Sequence, residues 1–462
     1  MTLPFWSKSL YFILIKSCAV SEPACPVGSP SATQPTLPTL RVGGAEPQLP
    51  DILAAVDVVD TARTAVLRLV MTSPVDASDV EAAEGGEDAE VTMLVEFEAA
   101  ATEPPAGWTW QDLDADVIAR LEPRTSQTAV ASWARERAEG WSPLRPPWSI
   151  PGWFQRASTW MVDRMAEDGR PVVGAPRPHQ LWGLSVVLRC ASTDGDAFLK
   201  CSADIFRHEA AATQALAEAM PELVPEVIAV DADRGWLLMR DLGAAELGEQ
   251  DQSRWHEGIV AHAGIQQSWL GRTDELVAHG LPVRSLTDLA AQVEAMSEDI
   301  ALLGRLPADV RERWLASAPS LAGSCRRLDG LGPGPTLVHG DLHPWNVAHG
   351  PTTTRVFDWT DAAVSHPFVD LATYVFRSRD ESVRRRLVDA YVRAWTPVAS
   401  EESLREAAAL GLVVGALYQV QSYRAILPTL MADGADDGLA GGDLAWIARS
   451  LARHERGLES PS

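Results

Sequence analysis

The chain has 462 residues, with 39 Lys and Arg against 63 Asp and Glu, and a formal net charge of −24 at pH 7. That length suits roughly two to three domains, and 46% apolar residues is enough for each to have a core. The charge argues against unassisted binding to nucleic acid or an anionic membrane, and no apolar run reaches the roughly 18 residues that a bilayer span needs.

An acidic surface would suit a cationic ligand, but solubility alone explains such a surface more simply. The cysteines, Cys18, Cys25, Cys190, Cys201 and Cys325, are odd in number and lack metal-ligand spacing. A disulfide framework is not expected, and a reducing cytoplasm is the simpler setting.

Residues 1–40 read as a disordered leader. Leu10-Tyr11-Phe12-Ile13-Leu14-Ile15 is apolar, but Lys16 interrupts it and no small-residue cleavage site follows before the Pro/Ser/Thr tract 28–38. Residues 45–145 read as a small α+β module of unknown role. Ala65–Met71 and Val91–Phe97 alternate like strands joined across the acidic loop 76–90. Helices are expected from Trp110 to Leu121 and from Thr125 to Glu139. No metal cluster, nucleophile arrangement or phosphate loop stands out there, so packing or substrate capping is the expected role.

A stiff linker rich in Pro and Trp, 143–153, leads to a helix around Phe154–Glu167. Ser185–Cys190 and Ala197–Cys201 then read as a hairpin turning at Asp194-Gly195, with Lys200 in an otherwise apolar strand. Glu209 falls in a helical run from Phe206 to Met220. Trp236-Leu237-Leu238-Met239 is an apolar strand ending at Arg240-Asp241-Leu242-Gly243. By themselves Lys200 could be an edge-strand charge, Glu209 a solvated helix face, and Met239-Arg240 the end of an ordinary buried strand.

From about residue 250 the pattern is helical. Gln252–Leu270, Leu286–Leu303 and Ala308–Cys325 carry apolar residues at three- and four-residue spacing. His256, His262 and His279 lie in or beside these helices and read as surface or packing residues. Val383, Leu387, Tyr391 and Trp395 mark one face of a later helix. Further helices are expected over about Glu402–Ile426 and Leu444–Glu455.

Inside this helical region Leu337-Val338 enters a tight polar loop, His339-Gly340-Asp341-Leu342-His343-Pro344-Trp345-Asn346, and Val347 leaves it. After the turn signal Gly350-Pro351 comes Arg355-Val356-Phe357-Asp358-Trp359. Two short strands would bracket a loop carrying Asp341 and Asn346, with Asp358 at the second strand's exit. Those groups suit phosphoryl transfer, in which a protein chiefly positions groups and neutralises charge. Asp341 could orient an attacking hydroxyl and accept its proton. Asn346 and Asp358 offer an amide and a carboxylate, enough for Mg²⁺, which keeps waters and phosphate oxygens as its other ligands. One alternative is a hairpin whose Asp and Asn only make turn hydrogen bonds. Another is a metal hydrolase using His339, Asp341, His343 and Asp358, which needs more convergent ligands than the nearby sequence offers.

The order H-x-D-x-x-x-x-N and then F-D-W, with His339-Gly340-Asp341 in place of His-Arg-Asp, resembles the aminoglycoside phosphotransferase and choline kinase families. The resemblance covers 157–455. It implies an α+β, protein-kinase-like two-lobe fold, with a small antiparallel-sheet lobe and a larger helical lobe, and ATP with Mg²⁺ between them. It makes Asp341 the catalytic carboxylate and Asn346 and Asp358 the metal ligands. Lys200 would clamp the α/β-phosphates with Glu209 as its ion-pair partner, and Met239 and Arg240 would meet adenine. His339 would brace the loop, and Asp370, in His366-Pro367-Phe368-Val369-Asp370, would be a supporting carboxylate.

The sequence departs from the family at the phosphate-covering loop, where Trp182-Gly183-Leu184-Ser185 holds a single glycine. Ser185 would supply a hydroxyl or backbone N–H there instead. Carboxylates of the helical lobe hold substrate amines in aminoglycoside-modifying relatives, but Asp433, Asp436 and Asp437 read more simply as a solvated loop.

The expected partner is a small-molecule hydroxyl acceptor: an aminoglycoside, a choline-like compound, a sugar or an amino alcohol. The oligomeric state is not readable. A reading of another class is a non-catalytic pseudokinase that binds nucleotide or acts as a scaffold, which the glycine-poor loop favours. The presence together of Asp341, Asn346, Asp358 and Lys200 argues against it.

Overall fold

The computed structural model describes residues 7–16, 24–28, 39–43, 64–71, 91–99, 108–112, 115–120, 124–141, 145–150, 152–181, 183–432 and 441–459. The expected loop 76–90, Trp182, and Asp433, Asp436 and Asp437 lie outside them. By compactness the chain divides into two units, Met1–Ala203 with Pro428–Asp437, and Asp204–Leu427 with Gly438–Ser462. The division falls inside the stretch 157–455 that the sequence groups together.

In the first unit β1 (Ser7–Lys16) lies between β3 (Thr39–Gly43), which it pairs antiparallel, and β5 (Val91–Ala99), which it pairs parallel. β2 (Ala24–Gly28) pairs instead with β6 (Trp108–Asp112), and β4 (Thr64–Met71) closes the other side of β5 antiparallel. The β4–β5 pairing follows the expected alternation. The expected disordered leader differs from this structure, which pairs much of 7–43 as strands. The apolar run of β1, rich in Ile, Leu and aromatic residues, suits a strand paired on both sides.

The helix expected to begin at Trp110 also differs. Trp108-Thr109-Trp110 alternates with a period of two and is strand, and α1 (Ala115–Ala119) starts after it. α2 (Arg124–Glu139) follows. Arg145, buried in the linker, donates to the backbone and hydroxyl oxygens of Ser149 and pairs with Glu136 at 2.7 Å. α3 (Trp153–Glu167) buries Trp153, Ala157, Met161 and Met165, a stripe at four-residue spacing.

β7 (Arg177–Leu181), β8 (Ser185–Cys190) and β9 (Ala197–Ser202) form antiparallel neighbours with β8 in the middle. The β8–β9 turn passes through Gly195 at φ 104°, a conformation that glycine adopts without penalty. Cys190 and Cys201 are buried free thiols on these adjacent strands, and Cys325 is a third in the other unit.

The second unit opens with α4 (His208–Ala219) and the hairpin of β10 (Val227–Asp231) and β11 (Trp236–Arg240). The helices follow as α5 (Trp255–Ser268), α6 (Thr273–Ala278), α7 (Leu286–Met296), α8 (Ile300–Arg305) and α9 (Ala308–Asp329). The expected single helix 286–303 is two, because the Asp299 side chain accepts from Leu302 N–H and caps a new start. Two pairs of short strands come next, β12 (Thr336–Val338) with β15 (Ala363–Ser365), and β13 (Val347–His349) with β14 (Thr354–Val356). α10 (Leu371–Val375), α11 (Glu381–Trp395), α12 (Glu401–Ala432) and α13 (Gly442–Glu459) complete the chain. No helix among the described residues is long and apolar enough to cross a membrane.

The core of this unit is aromatic. Trp255, Trp269, Trp314, Trp359 and Trp395 are fully buried, as are Tyr374 and Tyr391. Tyr374 donates its hydroxyl to the Trp255 carbonyl at 2.7 Å, which ties α10 to α5. The expected face Val383, Leu387, Tyr391 and Trp395 is the buried face of α11.

Because Trp395 packs against Phe368 and Tyr391 with no exposed surface, Trp395→Ala should lower unfolding free energy by about 3–5 kcal/mol in a urea titration. A change under about 1 kcal/mol would show that this aromatic core does not support the unit.

Candidate active site

Loop 339–346 connects β12 to β13 and is held from beneath by a single carboxylate. Asp370, 2% exposed, accepts at Oδ2 from the backbone N–H of His339 (2.9 Å), from His262 Nε2 (2.8 Å) and from Gln266 Nε2 (3.1 Å). Its Oδ1 accepts from the Gly340 N–H at 3.0 Å. A buried carboxylate is stable only when its lone pairs are filled, and these donors fill them. Gly340 has φ 83°, and a Cβ there would stand 2.2 Å from the Asp361 carbonyl oxygen, so only glycine fits. Its own carbonyl accepts from the Gln419 side chain.

His339 braces the loop on its other side. Nε2 donates to the Phe357 carbonyl at 2.9 Å, Nδ1 faces the Asp341 N–H at 3.4 Å, and the ring centroid lies 4.8 Å from that of Trp359. Burial, reinforced by neighbouring His262, pushes its pKa down and keeps the ring neutral. Both ring nitrogens are engaged within the protein, so His339 is not available as a metal ligand.

Asp341 thus leaves the loop with its backbone fixed and its side chain accessible, 41% exposed. Protein nevertheless crowds it closely enough that desolvation raises its pKa, with Asp358 and Asp370 acting in the same direction and Arg377 opposing. His343 Nε2 lies 3.7 Å from Asp341 Oδ2, beyond hydrogen-bond distance. Burial and Arg377 push the His343 pKa down to about 4, so near neutral pH it is an uncharged neighbour.

Asn346 is buried and donates Nδ2 to the Asp341 carbonyl at 3.0 Å, which orients the amide and leaves Oδ1 as its acceptor end. Its backbone carbonyl accepts from the Phe357 N–H at 3.0 Å, tying the loop to the exit of β14. The next residue, Asp358, has φ 66°, unusual for a residue with a side chain though Asp tolerates it better than most. Its Oδ1 accepts from the Thr360 hydroxyl. Beneath it Trp359 is buried, its indole N–H donating to the Val356 carbonyl at 3.1 Å.

The donor set here is hard oxygen, Asn346 Oδ1 and the Asp358 carboxylate, which fits Mg²⁺ and not a nitrogen- or sulfur-seeking metal. Among the described residues no group of three or more His, Cys, Asp and Glu could hold a metal ion, as the hydrolase alternative requires.

The other expected residues are placed as follows. In the first unit Ser185 opens β8 opposite Ser202, and Lys200 pairs with Val187; both are buried, Lys200 at 8% exposure. In the second unit Glu209 is buried in the first turn of α4, where the helix dipole favours an anion. Met239 and Arg240 are half-buried at the end of β11, and the Arg240 guanidinium is paired with Glu226 at 3.1 Å.

His262 and Gln266 were missed as site residues. They lie four apart on the buried face of α5, and two polar residues at helical spacing inside an apolar stripe are the signal that points to a buried partner. His262 is a buried hydrogen-bonding residue rather than a surface one.

Residues 186–408 match the model of the phosphotransferase enzyme family. No curated protein matches the chain. Among solved structures the chain is similar to a macrolide 2'-phosphotransferase from Brachybacterium faecium, at 20% identity over 66% of this chain and 99% of that one, TM-score 0.43. It is similar to an aminoglycoside 2'-phosphotransferase-IIIa in complex with GDP, at 14% identity over 65% and 100%, TM-score 0.47. It is also similar to a choline kinase from Streptococcus pneumoniae, at 15% identity over 64% and 98%, TM-score 0.43.

Asp370→Asn replaces one acceptor oxygen by a donor facing donors. It should cost about 2–3 kcal/mol or more in urea unfolding, while the same change at exposed Asp274 costs under about 0.5 kcal/mol. Equal effects would show that the buried network does not hold the loop.

Proposed function

We propose that this chain, whose residues 186–408 belong to the phosphotransferase enzyme family, is a Mg²⁺- and ATP-dependent phosphotransferase that moves the γ-phosphate to a hydroxyl of a small molecule. The observation that carries the reading is the fixed juxtaposition of an accessible carboxylate, Asp341, with the amide of Asn346, whose nitrogen is tied to the Asp341 carbonyl. Asp341 orients the acceptor hydroxyl and takes its proton as the oxygen attacks phosphorus, for which a raised pKa makes it a better base than an ordinary aspartate. Asn346 and Asp358 are the residues that would hold Mg²⁺, and the bound ion would offset the charge of the transferring phosphate. Lys200 and Ser185 offer a cation and a hydroxyl for phosphate oxygens, Glu209 offers a carboxylate, and Met239 and Arg240 offer contacts for the base. His339 and Asp370 act on the reaction only through the loop they hold.

The acceptor class is a hydroxyl-bearing small molecule. The cytoplasm, where ATP is at hand, is the proposed setting. A non-catalytic nucleotide-binding role is favoured by one feature, the single glycine in 182–185.

The test is Mg²⁺-dependent ADP release by the full chain against a panel of aminoglycosides, macrolides, choline-like compounds, sugars and amino alcohols. One acceptor class should stimulate turnover, and Asp341→Asn should reduce kcat by about 10²–10⁴-fold. ATP binding without stimulated turnover favours the non-catalytic reading, and no ATP binding contradicts both.

With the responding acceptor, kcat/KM should fall toward acid. The base form of Asp341 is required and its pKa is raised, so this limb should lie above the ordinary aspartate value of about 3.9. A limb at or below that value would separate the proton acceptor from Asp341.

A further inference from the structure

A cavity of about 630 Å³ lies among the helices α11, α12 and α13 of the second unit. Arg384, Arg385, Arg405, Arg453 and Arg456 line it, a local excess of cations in a chain of net charge −24. Two carboxylates, Glu381 and Asp389, line it too, and both are engaged. Glu381 stands 3.5 Å from Arg384, and Asp389 stands 3.1 Å from Arg405, which Glu401 also holds. Among the described residues Arg385, Arg453 and Arg456 have no carboxylate within ion-pair distance.

Arg453 is the unusual member. It is 8% exposed, and its guanidinium lies 3.8 Å from the ring centroid of Phe376 and 5.4 Å from that of Trp446. One N–H donates to the Leu412 carbonyl at 3.3 Å, which leaves most of its donors without a protein acceptor. Burial chiefly brings its pKa down to about 9, and the charges that act on it, Arg449, Arg456 and Arg384, are all of its own sign and push the same way. A buried cation among cations is costly unless an anion joins it. Arginine's planar fork suits phosphate oxygens, and Val375, Val388 and Leu412 give the same cavity apolar wall.

We propose that this cavity binds a small organic phosphate, its anionic head on Arg453, Arg456 and Arg385 and its carbon body against Val375, Val388 and Leu412. Asp341, Asn346 and Asp358 do not line the cavity, so the site is separate from the proposed reaction and does not depend on it.

Isothermal titration calorimetry of the full chain at fixed ionic strength tests this, with inorganic phosphate and hexyl phosphate as probes. Lys200→Gln controls for phosphate held at the reaction site. Saturable binding should persist in Lys200→Gln and weaken by about tenfold or more in Arg456→Gln, an exposed change that leaves the fold intact. Arg453→Gln should abolish it, with circular dichroism confirming folding, and hexyl phosphate should bind more tightly than inorganic phosphate. The proposal is overturned by absence of saturable binding to the unmodified chain. It is equally overturned by binding lost in Lys200→Gln but kept in Arg456→Gln, or by equal affinity for the two probes.

Discussion

A buried carboxylate with four donors around it is the constraint on which the site depends. Asp370 gathers the backbone N–H of His339 and the side chains of His262 and Gln266 at Oδ2, and the backbone N–H of Gly340 at Oδ1. The loop is therefore fixed by its main chain, and the side chain of Asp341 is left to face outward. Each of these hydrogen bonds has a charged acceptor and is sheltered from water, the setting in which such bonds are strongest and their loss most costly. The same geometry demands glycine at position 340, because at φ 83° any Cβ there would collide with the Asp361 carbonyl oxygen.

The carboxylates of the site have different environments. Asp370 is buried and saturated with donors, and serves as a structural anion. Asp341 is accessible but crowded, with like charge nearby, so it holds a proton more readily than an ordinary aspartate. Asp358 is fixed by a left-handed backbone and by the Thr360 hydroxyl. Such separation of environments is what allows carboxylates close in space to act differently, one as base and another as ligand. His343, with its pKa pushed down to about 4 by burial and Arg377, adds no charge to this balance near neutral pH.

The loop was legible in the sequence because its chemistry is contiguous: His339 to Asn346 is one turn of polar residues between two apolar strands, and Asp358 follows a short hairpin. α11 was legible because Val383, Leu387, Tyr391 and Trp395 keep helical spacing and are buried as a face. What was not legible is what long-range pairing decides. His262 and Gln266 reach Asp370 across more than a hundred residues, and nothing local marks them except polarity within an apolar stripe. β1 pairs parallel with β5 across a long connection, so the strand character of the first residues depends on a partner that local pattern does not reveal. Trp110-Gln111-Asp112, expected to open a helix, is strand because it pairs with Ala24-Cys25-Pro26, a partner far away in the sequence.

Group transfer, as distinct from mere ATP hydrolysis, is the central claim, and phosphorus NMR of the full chain with ATP, Mg²⁺ and a responding acceptor tests it most directly. The account predicts ADP together with a new phosphate monoester resonance that grows in step with it. ADP accompanied only by free inorganic phosphate would contradict it, because the hydroxyl that Asp341 is placed to orient would then not be the group attacking phosphorus.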